Sequence, residues 1–146
     1  MITHGAHYLP ILCRELGGDI DPDTVCIADT APDGTMRAVF GFSGWSDGNI
    51  EGMLWARPGG LSRALLTACA GYVFGQLACD RLTIRIQGDN AAMLNLAPRI
   101  GFVHEGTMRA AHQGREVHIF GMLRGECRWL RTRSQISEEA KGAQGT

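Results

Sequence analysis

Arg57-Pro58-Gly59-Gly60-Leu61-Ser62 stands between a strand-like run, Asn49 to Ala56, and a 16-residue apolar stretch, Ala64 to Cys79, interrupted by Thr67 and Gln76. Glycines let the backbone turn sharply and aim its N–H groups inward. A helix starting after the loop adds unpaired N–H groups and a partial positive charge. Strand, glycine loop and helix start together make a cradle for a pyrophosphate, to which Arg57 and Arg63 add charge. A plain strand-to-helix connection uses the same residue types, so the loop alone does not decide. Neither G-x-x-x-x-G-K-[ST] nor G-x-G-x-x-G is present, which argues against an ATPase loop and a dinucleotide fingerprint.

Upstream, strand-like runs at Val25 to Ala28, Arg37 to Ser43 and Asn49 to Ala56 are separated by Pro32-Asp33-Gly34 and Ser46-Asp47-Gly48. These strong turn signals predict an antiparallel meander. Before it, Thr3 is read as the cap of a short helix that runs through Leu16 and ends at Gly17-Gly18. Downstream, a helix is predicted from Ser62 to Ala78; its only charged residue is Arg63, so most of it should be buried. Arg81 to Gln87 alternates, with Leu82, Ile84 and Ile86 on one face. Asp89-Asn90 starts a second helix toward Ile100, in which Pro98 removes the bond to the Leu94 carbonyl. Strands at Glu105 to Ala111 and Val117 to Arg124 flank Gln113-Gly114. The expected class is α+β, a mixed α/β sandwich, with one domain over residues 1–131 and a loose polar tail over 132–146.

The 146 residues carry 45% apolar and 20% charged side chains, enough for one real core. The net charge of −1 argues against a nucleic-acid coat protein but hides an asymmetry. Met1 to Ala56 holds eight acids against Arg14 and Arg37, a net −6, whereas Arg57 to Arg133 holds eleven arginines against five acids, a net +6. Such a split suits an anionic ligand in the second half and a cation near the first. Cys13, Cys26, Cys69, Cys79 and Cys127 are odd in number and form no C-x-x-C pair, which points to reduced thiols in a cytoplasm. No histidine is ligand-spaced with them, so no metal is expected. No stretch is long enough to span a membrane. Arg124, Arg128, Arg131 and Arg133 could touch nucleic acid, but thirteen arginines beside a single lysine also fit a coding bias.

The loop resembles the Q/R-x-x-G-x-G/A signature of the GCN5-related N-acetyltransferases, with Arg57 first, Gly60 in the middle and Ser62 in place of the last small residue. Thirty residues on, Asn90-Ala91-Ala92-Met93-Leu94-Asn95-Leu96-Ala97-Pro98-Arg99-Ile100-Gly101-Phe102 is similar to the family's N-x-x-A-hydrophobic-x-hydrophobic-Y-x-x-hydrophobic-G-F. Glu105-Gly106-Thr107-Met108-Arg109 and Gly121 to Trp129 resemble the branch that acetylates ribosomal-protein N-termini, in its compact, phage- or prophage-like form. The likeness covers Asn49 to Trp129, 81 of 146 residues.

What the resemblance implies is a mostly antiparallel, splayed central sheet flanked by helices. Acetyl-coenzyme A lies in the gap and adds to its edge like a strand. The implied cofactor-binding residues are Leu54, Trp55, Ala56, Arg57, Gly59, Gly60, Leu61, Ser62, Arg63 and Asn90, with a backbone N–H near Leu54 to Ala56 polarising the acetyl carbonyl. A primary amine, on a protein N-terminus or a small molecule, would attack directly. Glu51 and His118 are the candidate bases, each also readable as a surface carboxylate and a structural histidine. The family's tyrosine acid falls on Ala97, with Cys69, Cys79 and Ser62 as substitute candidates and a Ser62 hydroxyl able to meet a phosphate. Dimers are common for the fold, and Trp129-Leu130 would serve an interface or pack internally. Two other readings stay open: a non-catalytic acyl-coenzyme A-binding module, and an acyltransferase acting on nucleic-acid bases.

Overall fold

A computed structural model describes residues 1–17 and 20–130. The predicted tail, together with Arg131, Arg133, Gly18 and Asp19, lies outside the described residues. One sheet of seven strands is ordered β1-β2-β3-β4-β5-β7-β6. The strands are β1 (Ile2–His4), β2 (Val25–Thr30), β3 (Met36–Ser46), β4 (Asn49–Ala56), β5 (Arg81–Gln87), β6 (Val103–His112) and β7 (Arg115–Leu123). Every neighbouring pair is antiparallel except β4 and β5, which run parallel. The helices are α1 (Leu9–Leu16), α2 (Arg63–Ala70) and α3 (Ala91–Arg99). The α+β class and the mostly antiparallel sheet are therefore as expected from the sequence.

Alternation along the strands sorts the core into two layers. Ile27, Phe40, Phe42, Ile50, Leu54, Leu82, Ile84, Ile86 and Phe120 face α2 and α3. Cys26, Ala28 and Val39 face the other way and pack under Tyr8 and Leu12 of the first helical segment. α1 therefore covers only one half of the second face.

Two local readings are corrected. Thr3 does not cap a helix: Ile2–His4 pair with β2 from Ile2↔Asp29 to His4↔Ile27, and a short 3-10 turn at Ala6–Tyr8 leads into α1. The helix predicted to run to Ala78 is α-helical only through Ala70, then widens into a π segment at Gly71–Gln76. Gly71 and Gly75 lie in that segment, where glycine lowers helical preference. Trp129, for which both an interface and internal packing stood open, packs partly buried against the core: its Nε1 donates to the Ile100 carbonyl at 2.8 Å, and Arg128 donates to the Arg99 carbonyl. Together they satisfy the carbonyls left open at the end of α3, next to Pro98. Among the described residues no helix is long and apolar enough to cross a membrane.

The widened segment closes on Ala78, which is exposed and takes φ of 52°, a left-handed conformation that glycine adopts without strain. Ala78→Gly is expected to raise the unfolding free energy by about 1 kcal/mol. Urea denaturation checks this, and no gain or a loss would contradict the strain.

Candidate active site

The parallel pairing of β4 with β5 runs from Asn49↔Arg81 to Gly52↔Ile84 and stops. Beyond it β4 stays with β3 as far as Ala38↔Ala56, and β5 stays with β7 as far as Gln87↔Val117. The two strands thus part, leaving edge groups of Met53 to Ala56 and of Arg85 to Gln87 without a strand partner.

Two openings follow this gap and share Glu15, Leu16, Leu54, Asn90 and Met93, so they form one groove. The inner chamber, about 240 Å³, lies between the diverging strands and the end of α1. The outer one, about 640 Å³, runs between α3 and the glycine loop. Of the residues expected to hold the donor, Leu54, Trp55, Ala56, Arg57, Gly59, Leu61 and Asn90 line the outer opening. Gly60, Ser62 and Arg63 do not line it.

Each of those three has a structural reason to sit behind the groove. A Cβ at Gly60 would lie 2.2 Å from the Arg37 carbonyl oxygen and 2.7 Å from Arg57 Cγ, so only glycine lets the loop close this tightly. Arg57 N donates to that same Arg37 carbonyl at 3.0 Å, and Gly60 N donates to the Arg57 carbonyl at 2.8 Å. The Ser62 hydroxyl is not available to a phosphate. It donates to Asp29 Oδ2 at 2.7 Å and accepts from Leu65 N at 3.1 Å, capping α2. Arg63 lies over the Trp129 ring, 5.9 Å from its centroid. The first-turn N–H groups of Arg63 and Ala64 have no acceptor within α2, as at any helix start, and they follow directly on Leu61, which lines the outer opening. Arg57 and Arg99 add two guanidinium groups to that opening. The residues present therefore suit a pyrophosphate-bearing molecule.

Asn90 caps α3 by accepting from Met93 N at 3.2 Å, which leaves its NH₂ group for the groove both openings share. Ala97 is wholly buried, and the groove has no hydroxyl there. The substitute acids fail as well. Cys69, on the buried face of α2, and Cys79 lie in the core, and burial pushes both thiols up, Cys69 far above the usual range. Tyr8 pairs with Thr3, and Tyr72 packs on Phe42.

Neither base candidate lines an opening. Glu51 Oε1 accepts from Arg85 Nη2 at 3.0 Å. His118 lies on β7, beyond β5 from the gap, where its ring bonds His104 (3.0 Å), Thr107 (3.1 Å) and Glu116 (3.1 Å). The carboxylate that does line both openings is Glu15, in the last turn of α1. Sequence inspection gave no sign of it, because the groove joins it to residues about forty to eighty positions away. Glu15 accepts from its exposed neighbour Arg14 Nε at 3.3 Å, and four of the eight acids of the N-terminal half are engaged away from the groove: Asp29 under Ser62, Asp33 on Thr35, Asp21 on the Asp23 amide, Glu51 on Arg85. Arg124 and Arg128 are likewise turned to the Cys79 and Arg99 carbonyls. Among the described residues no three His, Cys, Asp or Glu side chains converge as a metal site would require.

No protein-family model matches the chain. No curated protein matches it either. Solved structures do. A ribosomal-protein-alanine N-acetyltransferase from Brucella melitensis superposes with a TM-score of 0.66 at 15% identity, over 84% of this chain and 99% of that one. A dodecameric spermidine N-acetyltransferase from Vibrio cholerae gives 0.65 at 12% identity, over 85% and 94%. The fold is that of the GCN5-related N-acetyltransferases.

Asp29 offers a direct test of how the loop is anchored. Burial pushes its carboxyl up, but the Ser62 hydroxyl, the N-terminal ammonium and Arg37 outweigh this and hold it below the usual carboxylate range. A depressed folded value contributes stability above the unfolded value of about 3.9, lost as pH falls through the folded value. Stability of the native chain should therefore drop below about pH 4 more steeply than that of Asp29→Asn. Parallel curves from urea titrations at pH 6, 4 and 3 would show that Asp29 contributes nothing of the kind.

Proposed function

We propose that the protein transfers an acetyl group from acetyl-coenzyme A to a primary amine within a ternary complex. The observation that carries this is the continuous groove from the open β4–β5 gap to the glycine loop at the start of α2. The donor supplies a thioester. Its pantetheine arm fits the unpaired edge of β4 as an added strand would. Its pyrophosphate fits the outer opening beside Arg57, Gly59, Leu61 and Arg99, with the start of α2 directly after the loop. The fold is shared with enzymes described as acetylating ribosomal-protein alanine and spermidine, which supports amines as acceptors.

In the reaction the amine nitrogen forms a bond to the acetyl carbon, and the carbon–sulfur bond breaks. Backbone N–H groups on the Met53 to Ala56 edge are placed to stabilise charge on the carbonyl oxygen. Glu15, on the wall common to both openings, is the proton acceptor for the amine, directly or through water. With Ala97 carrying no hydroxyl, the thiolate leaves as an anion beside the Asn90 amide and takes its proton from water. The groove itself favours catalysis over simple binding, because its inner chamber extends past the donor's place toward α1 and is lined there by Glu15.

Titration calorimetry and thiol release test this. Micromolar acetyl-coenzyme A binding is expected, weakened about 10- to 100-fold in Arg57→Ala through loss of a charge-assisted contact. Gly60→Ala should fold yet bind far more weakly, since the loop must open to admit the methyl group. Amine-dependent thiol release should rise with pH through the amine's own titration and stay level near pH 10, where a tyrosine acid would cause a fall. No binding at millimolar donor would overturn the assignment.

A further inference from the structure

The inner chamber carries opposite charges at its two sides and an apolar wall between them. Glu15 comes from the end of α1 and Arg85 from the parted edge of β5, while Leu16, Ile20, Met53 and Met93 supply the rest of the surface that matters. We infer that this chamber takes a free α-amino acid with an apolar side chain, its ammonium group on Glu15 and its carboxylate on Arg85. The inference rests on the acetyl-transfer reading, whose acceptor it names.

Three observations lead there. First, Arg85 is held but not used up: Glu51 accepts one bond from Nη2, and the guanidinium has five N–H donors in a planar fork suited to a carboxylate. Glu51, which lines neither opening, is thereby a positioning residue rather than a base. Secondly, Glu15 is the only carboxylate among the described residues lining the chamber. A polyamine would bring a second ammonium group against Arg85, and like charges at close range are disfavoured. Thirdly, about 240 Å³ lies below the roughly 300–1,000 Å³ that hold drug-sized ligands, and between the charged groups Leu16, Ile20, Met53 and Met93 form an aliphatic and thioether patch in a wall that Gln87 and Asn90 share. A methionine- or leucine-like side chain matches it in size and polarity. Of the described acids of the N-terminal half only Glu15 lines this chamber, and Asp21, Asp29, Asp33 and Glu51 are engaged in turns and pairs.

The test compares L-methionine, L-leucine, methioninamide, a Met-Ala dipeptide and spermidine in a thiol-release assay, with calorimetric binding of L-methionine and of acetyl-coenzyme A measured separately. The expected result is a kcat/KM for the free amino acids at least tenfold above the amide, the dipeptide and spermidine. Arg85→Gln should collapse the ratio of free acid to amide toward one while the acetyl-coenzyme A affinity holds. Glu51→Gln should raise KM for the amino acids with little change in kcat and no shift of the pH profile, whereas loss of a base would lower kcat and move that profile. Preference for spermidine, the amide or the dipeptide, or an unchanged acid-to-amide ratio in Arg85→Gln, overturns the inference and leaves acetyl transfer intact. Failure of acetyl-coenzyme A to bind overturns the earlier reading instead. L-methionine binding that is lost in Arg85→Gln would still support the chamber's assignment.

Discussion

The sheet stops pairing at Gly52 and Ile84 because each strand has a stronger tie on its other side. β4 continues along β3, and the Arg57 amide extends that ladder to the Arg37 carbonyl. β5 continues along β7, and the Gly88 amide extends that one to the Glu116 carbonyl at 2.8 Å. Two half-sheets that keep their own partners while twisting must separate. The separation leaves backbone donors and acceptors facing a gap, and such groups need water or a ligand to bond. A sheet edge of this kind is a template for an extended molecule. The groove is therefore a consequence of where pairing ends.

The helices then fix the two ends of the gap. Ser62 is held by Asp29 from β2 while it caps α2, so the start of that helix is tied to the sheet across the first half of the fold. Asn90 caps α3 at the mouth of the gap, and its own amide bonds to the Gln87 carbonyl at the end of β5. At the other end of α3, Trp129 and Arg128 bond the last carbonyls. Gln87 reaches from β5 to the Leu16 carbonyl at 3.4 Å, joining α1 to the same strand end. Every wall of the groove is thus attached to one of the diverging strands.

Local chemistry made much of this readable. Alternation in Arg81 to Gln87, the turn residues of the meander and the cap at Asn90 all act within a few positions, and the structure follows them. Features set by distant partners were not readable. A three-residue strand at Ile2–His4 has no periodicity of its own and is defined only by β2, about 25 residues away. Ser62 looked free for a phosphate because nothing in the local sequence shows Asp29 beneath it. Glu51 and His118 stand on strands that border the right region, yet one is turned to Arg85 and the other lies beyond β5. Glu15 has no motif around it; only the packing of α1 against the parted strands brings it into the groove.

Polarity gives the groove a direction. At its outer end Arg57 and Arg99 gather positive charge, a setting that suits an anionic group. At its inner end the C-terminus of α1 brings helix carbonyls and Glu15, the setting for an ammonium group. The two openings meet beside Asn90 and Leu54, where the proposed donor, entering tail-outward, would carry its thioester. Among the described residues that junction has no hydroxyl or thiol to protonate a departing sulfur, since Ala97 is buried and the nearby thiols lie in the core. The arrangement suits chemistry whose leaving group is stable as an anion, as a thiolate is. It is poorly suited to expelling an alkoxide or an amide nitrogen, each of which needs a proton as it leaves.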